Sequence, residues 1–201
     1  MSTSTRRARE RASTRERIIE AALHVLETEG PAALTIRRIA ADVDYTPPVV
    51  YQHFANKDAL VVELIAHGHR LLLAGFRRAA EEPGADRRVL RVAGEYVRFA
   101  RAHPHLYEVM NGPVRSADAR RLAAEPAIAF VKDLLTSWSA AHDVVLADLD
   151  EACEILWGTL YGTASLGHLS GGGEERTRRL AEQALRAILL GWRTGLPDDG
   201  S

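Results

Sequence analysis

Tyr45, Thr46, Pro47, Pro48, Tyr51 and Gln52 crowd one short stretch of the chain, flanked by Thr35, Arg37, Arg38, His53 and Lys57. Their chemistry is non-covalent. The Gln52 amide carries a donor beside an acceptor, the pattern that pairs with adenine in a major groove. Pro47 and Pro48 have no N–H, so the anion-binding power of a helix start is reduced here. Their rings suit apolar contact with thymine methyl groups. Thr35, Arg37, Arg38, Tyr51, His53 and Lys57 carry the donors that hold phosphates, contacts that position a protein on a duplex without specifying sequence. For Phe54 core packing is the preferred reading; Tyr51 could serve either purpose.

Covalent and metal chemistry find less support. His67-x-His69 and His103-x-His105 are separated by Gly68 and Pro104, with no carboxylate cluster beside them. Zinc ordinarily takes three or four ligands, so no metal site is expected. Cys153 is the only cysteine. It lies mid-helix in an apolar setting, where a thiol is inert. A lone cysteine also excludes an intramolecular disulfide and fits a reducing cytoplasm. Gly171, Gly172 and Gly173 lack the preceding strand and the lysine of a phosphate-binding loop. No catalytic residue and no cofactor is expected.

Two short helices must position the recognition residues. Thr35 can cap the first, on which Ile36, Ile39, Ala40 and Val43 recur at helical spacing. Asp44 falls where a tight turn needs a left-handed residue, which Asp tolerates better than most. Thr46 followed by Pro47 predicts a second start, with a hydroxyl cap and a proline at the first helical position. Val50, Tyr51 and Phe54 continue that helix. The pair reads as a helix-turn-helix, which places its second helix in the major groove. Before it, residues 15–29 form a helix with Ile19, Ala22, Leu23 and Leu26 inward, capped by Ser13 or Thr14 and ended by Gly30-Pro31. It completes a three-helix domain.

The rest of the chain also reads as helical. Asn56 caps a helix running to about Ala80, long enough to link two domains. Further helices start at Asp86 and His105. Another is broken by Pro126, one is capped by Asp148, and the last runs from Glu174 to about Trp192. No alternating strand pattern appears, so the fold class expected is all-α. With 201 residues, 46% of them hydrophobic, wholesale disorder is excluded. No apolar run is expected to span a bilayer, and no signal peptide is seen. The net charge of −1 gives no global attraction to nucleic acid. The first seventeen residues are different. Arg6, Arg7, Arg9, Arg11, Arg15 and Arg17 outweigh Glu10 and Glu16, and such an arm suits phosphate contact with counterion release. The arm is expected to be disordered when free and partly ordered on DNA.

The segment IRRIAADVDYTPPVVYQHFANKDAL resembles the DNA-binding segment of the TetR family of bacterial transcriptional regulators. Tyr51, His53, Phe54, Asn56, Lys57, Asp58 and Leu60 match that family's pattern. Asp44 departs from it, replacing the usual turn glycine, and so does Pro47-Pro48. The segments WGTLYGTASLGHL, from Trp157, and HPHLYEVMNG, from His103, resemble a TetR subgroup whose C-terminal domain carries a Trp-His-Gly element, with Tyr161 in place of the histidine.

The resemblance implies a three-helix N-terminal helix-turn-helix domain plus a larger helical-bundle C-terminal domain for ligand binding and dimerisation. The boundaries expected are 1–13 for a basic arm, 14–60 for the DNA-binding domain, 61–195 for the second domain and 196–201 for a tail. Tyr96, Phe99, Tyr107, Met110, Phe130, Trp138, Trp157 and Tyr161 become candidates to line an apolar cavity for a small apolar or aromatic ligand. Taken singly, each is more simply a core residue. Gly158, Gly162, Ser165, Leu166 and Leu169, with Leu185, Ile188, Leu189 and Trp192, become candidates for a four-helix interface between two copies. The function expected is that of a cytoplasmic homodimeric regulator, a repressor in the first instance, reading a palindromic operator and answering to a ligand. The alternative is a helical ligand-binding or catalytic protein whose helix-turn-helix is vestigial.

Overall fold

A computed structural model describes residues 3–112, 117–169 and 173–195; of residues 3, 4, 168 and 169 it describes the backbone alone. The described residues hold nine helices and no strand: α1 (Thr3–Glu29), α2 (Ile36–Asp42), α3 (Pro47–His53), α4 (Lys57–Ala79), α5 (Ala85–Ala102), α6 (Pro104–Asn111), α7 (Ala117–His142), α8 (Leu149–Leu169) and α9 (Glu174–Thr194). The all-α expectation holds. The chain divides into two compact units, Met1–Gly68 with His103–Ala124 and His69–Ala102 with Glu125–Ser201. One boundary falls inside α4, and another inside α7 next to Pro126.

The first unit is built on the apolar stripe of α1. Ile18, Ala22, Val25 and Leu26 are completely buried, and Ile39, Val50, Leu60 and Leu64 join them. α1 packs on α2 and on α6, and α2 packs on α3. Gly30 ends α1 at φ 83°, a left-handed angle that glycine adopts without a Cβ clash. Asp44 sits at φ 55° in the α2–α3 turn, where the family's glycine would stand. The turn is pinned by Tyr45 N–H donating to the Ala40 carbonyl at 2.8 Å. Asn56 caps α4 by accepting from Ala59 N–H at 2.8 Å.

The second unit centres on α5, α8 and α9. Val89, Ala93, Tyr96 and Val97 of α5 meet a core that includes Leu156, Leu160, Ala181 and Leu185. Asp148 Oδ1 accepts from the N–H groups of Asp150 and Glu151 at 2.8 and 3.0 Å, so the expected cap of α8 is present.

Four expectations are corrected. α1 begins at Thr3, so the stretch expected to be an arm is helical and neither Ser13 nor Thr14 is a cap. Alanine, arginine and glutamate are good helix formers, and Arg6 pairs with Glu10 one turn on at 2.8 Å. Pro126 lies inside α7 without breaking it. The carbonyl that loses a partner belongs to Leu122, a residue that is 69% exposed. Thr46 occupies the N-cap of α3, yet its hydroxyl makes no capping bond. The two prolines remove the early donors, and Val49 N–H goes to the Thr46 carbonyl at 2.9 Å instead. Finally, one 18-residue window within α4 has a mean hydropathy of 1.4, so by length and composition this helix could span a bilayer. Half of that window is buried inside the fold, as in a core helix.

Candidate nucleic-acid interface

α3 is amphipathic over two turns. Val50 is fully buried and Phe54, just beyond the helix, is 3% exposed. Phe54 is therefore core. On the other side Thr46, Pro48, Tyr51 and Gln52 are exposed, with Tyr45 and Pro47 half-buried beside them. Tyr51 is 53% exposed, which decides its reading in favour of a surface contact. Lys57, at the start of α4, and Arg37, on α2, are exposed as well.

Thr35 and Arg38 already make contacts within the chain, and His53 is partly buried. The Thr35 hydroxyl caps α2 by accepting from Arg38 N–H at 3.2 Å. The Arg38 guanidinium donates to Glu29 at 2.6 Å and to Asp42 at 3.3 Å. The hydrogen bond to Glu29 is the main reason its pKa rises further above the ordinary arginine value. A phosphate would have to compete with both carboxylates. His53 is half-buried, and its Nδ1 is buried without a hydrogen-bond partner. Burial, then the charges of Arg11 and Arg15, lower its pKa. The shift favours the neutral imidazole, which weakens His53 as a cation for a phosphate.

Three α1 arginines, expected as phosphate ligands, instead contact the helix-turn-helix. Arg11 donates to the Gln52 carbonyl at 3.2 Å, at the C-terminal end of α3. Arg15 pairs with Glu63 at 2.6 Å and lies over the Phe54 ring, 5.0 Å from its centre. Arg17 donates to the Tyr45 hydroxyl at 2.7 Å. A signal for this existed in the sequence. Arg11 and Arg15 continue, at steps of four and three, the stripe that runs on through Ile18 and Ala22.

The aromatic candidates are divided between the two units. Tyr107 and Met110 are buried in the first unit, where Met110 packs against Gly68. The other six lie in the second unit. Tyr96 and Trp157 meet edge to face at 5.4 Å, Trp138 and Trp192 approach to 5.9 Å, and Phe130 stacks on Phe76 at 5.9 Å. Phe99 is buried, Phe130 and Trp157 are half-buried, and Tyr161 is 42% exposed. A groove of about 600 Å³ in the second unit is lined by other residues, including Arg78, Arg98 and Arg178 facing Glu82, Glu95 and Glu182. Among the described residues, no cluster of three or more His, Cys, Asp or Glu could hold a metal ion.

Leu185 and Leu189, expected at an interface, are 1% and 3% exposed inside the chain. They share a face with Thr177 and Ala181, which α9 turns toward the core. The large apolar side chains α9 leaves exposed are Leu180 and Leu190. Ile188 and Trp192 are half-buried. On α8, Gly158 is exposed, Gly162 and Ser165 are half-buried, and Leu166 is 61% exposed. Ile155 adds to that open face at 41%. The Leu169 side chain lies outside the described residues.

The family model for bacterial regulatory proteins of the tetR family matches residues 18–64, the span from α1 to α4. That for the tetracyclin repressor-like C-terminal domain matches residues 89–190, just over half the chain. The chain belongs to the TetR family. TetR-family proteins are DNA-binding transcriptional regulators, not enzymes. One relative, the uncharacterized HTH-type transcriptional regulator Rv0681 of Mycobacterium tuberculosis, is 27% identical over 181 residues, covering 82% of this chain and 83% of its own. The class D tetracycline repressor protein of Escherichia coli is 41% identical over 59 residues, 27% of each chain. A solved structure of a protein of unknown function from Rhodococcus sp. RHA1 superposes with a TM-score of 0.75 at 26% identity, covering 89% of this chain and 95% of that one. A TetR-family regulator from Rhodococcus sp. shares the fold at 13% identity, with a TM-score of 0.70 over 87% of this chain and 97% of its own.

Proposed function

We propose that this TetR-family regulator is a cytoplasmic, ligand-responsive repressor that binds a palindromic operator as a homodimer. One observation carries the reading: α3 buries Val50 and turns Thr46, Pro48, Tyr51 and Gln52 to solvent. Gln52 and the two prolines read bases, and Arg37, Tyr51 and Lys57 hold phosphates. Two copies present two such helices to successive turns of duplex. The partner copy docks on the exposed face of α8, with Gly158, Gly162, Ser165 and Leu166, and on Leu180 and Leu190 of α9. An apolar or aromatic ligand binds in the C-terminal domain, where Phe130 and Trp157 are the half-buried members of the aromatic set. It acts through α4, which belongs to both units, and only if its affinity differs between the two functional states.

The test uses a duplex that the wild-type protein selects from fragments of its own genome, with a scrambled duplex of equal length as reference. Gln52→Ala is expected to lose affinity for the selected duplex alone, and Lys57→Ala for both. Equal losses from both variants on both duplexes would refute the assignment. A monomer in ultracentrifugation at micromolar concentration would remove the palindrome.

A further inference from the structure

Tyr45 occupies the turn immediately before α3, and α1 controls it. The Arg17 Nη1 donates to the Tyr45 hydroxyl at 2.7 Å, and the guanidinium carbon stands 5.1 Å from the centre of the same ring. The two contacts fix both the position of the ring and the direction of its hydroxyl. Arg17 is itself rigidly based, because the next residue, Ile18, is completely buried and Ala21, one turn on, is 6% exposed. Arg11 grips the other end of α3 through the Gln52 carbonyl. α1 therefore splints the probing helix at both ends.

A phenol oxygen accepts hydrogen bonds and donates one, whereas a guanidinium only donates. With Arg17 donating a hydrogen bond to the oxygen, the phenol's own proton cannot point at Arg17. It is left to an acceptor elsewhere. We propose that Arg17 is a positioning residue that makes Tyr45 an oriented hydrogen-bond donor at the head of α3, aimed at a base-edge acceptor in the major groove. Such acceptors are guanine O6 or N7, adenine N7 and thymine O4. The proposal rests on α3 being the base-reading element. The competing role for an exposed arginine beside a duplex is phosphate neutralisation, and the two roles separate by salt dependence. A phosphate contact changes the slope of log K against log salt, whereas a contact that only orients another side chain does not.

The experiment compares Tyr45→Phe, Arg17→Ala, Arg17→Lys and the Arg17→Ala/Tyr45→Phe double variant on the selected and scrambled duplexes across a salt series. Both single losses are expected to weaken binding to the selected duplex roughly tenfold, as removal of one base contact does. Binding to the scrambled duplex should change less than twofold. The double variant should be no worse than either single one, with the salt slope unchanged. Arg17→Lys keeps the charge but not the planar contact, and should also lose selectivity. Tyr45→Phe indistinguishable from wild type would overturn the proposal. So would an Arg17→Ala variant equally weak on both duplexes with a slope smaller by about 0.9, restored by Arg17→Lys. A wild-type protein that selects no duplex at all is a different failure, that of the operator reading, and the proposal falls with it.

Discussion

Asp86 Oδ1 accepts the indole N–H of Trp138 at 2.8 Å, joining the first turn of α5 to α7. Arg193, near the end of α9, donates to the same oxygen, and His142 Nε2 lies 3.1 Å from it. Trp138 is 1% exposed, so its N–H has no access to water. One carboxylate thus ties three helices of the second unit together.

Burial alone would raise the Asp86 pKa, but hydrogen bonds from Trp138 and Arg193 and the charges of Arg193 and His142 outweigh it and hold the value below the usual range. A depressed folded-state pKa means the unfolded chain takes up the proton first. The stabilisation is present above the unfolded value, about 3.9, and disappears as pH falls through the folded one. Asp86 is 42% exposed, which screens the charge contribution. Asp86→Asn should therefore flatten the acid limb of the stability curve below about pH 4. Asp86→Ala should cost about 1–2 kcal/mol at pH 7 by leaving the Trp138 N–H unpaired. Urea unfolding at several pH values checks both.

His53 has the opposite acid–base character with the same sign of linkage. Burial first, and then the charges of Arg11 and Arg15, depress its pKa below the ordinary 6.5. The unfolded chain again binds the proton first, so stability is full above about pH 6.5 and falls as pH drops through the folded value. His53→Gln should remove that fall. A phosphate beside the ring favours the cation, so binding of duplex should move the His53 titration upward. Imidazole NMR with and without duplex reads this directly, and an unmoved titration would exclude the phosphate contact.

Arg37 and Arg38 are neighbours in sequence but not in role. Arg37 is exposed, while Arg38 is held by Glu29 and Asp42. Arg37→Ala should reduce the salt slope of duplex binding by about 0.9, the value for one phosphate contact. Arg38→Ala should leave the slope near that of the wild type. Equal slope changes would show that Glu29 and Asp42 release Arg38 to the duplex.

Gly167 and Gly162 share α8 and should respond oppositely to the same substitution. Helix propensity alone favours alanine over glycine by about 1 kcal/mol. At Gly167, a Cβ would collide with Thr177 Oγ1 and stand 2.9 Å from its Cγ2, and Thr177 is 2% exposed. A buried β-branched side chain cannot turn aside, and such overpacking costs about 1–3 kcal/mol. Gly167→Ala should therefore lower the melting temperature. A Cβ at Gly162 meets nothing within 4 Å. Gly162→Ala should raise the melting temperature, while Gly162→Leu should weaken self-association if a second copy docks there.

Local order determined a good deal from the sequence alone. The Asp44 turn, the caps at Thr35, Asn56 and Asp148, and the glycine stop at Gly30 all depend on residues a few positions apart, so short-range hydrogen bonding and backbone sterics suffice to place them. The 3.6-residue stripes of the N-terminal helices likewise mark inward faces, and the pattern along the chain is that of an all-α fold. Periodicity gives a face but not its partner, and there the tertiary structure decided. As interface candidates Leu185 and Leu189 rest on spacing alone, and α9 buries the face they share by packing on α5 and α8. Ring contacts such as that of Tyr96 with Trp157 likewise follow only from how the helices pack. Arg17 and Arg38 carry the same charge as Arg37. Their occupation follows from Tyr45 and Glu29 arriving beside them, distances of 28 and 9 residues along the chain that only the fold closes.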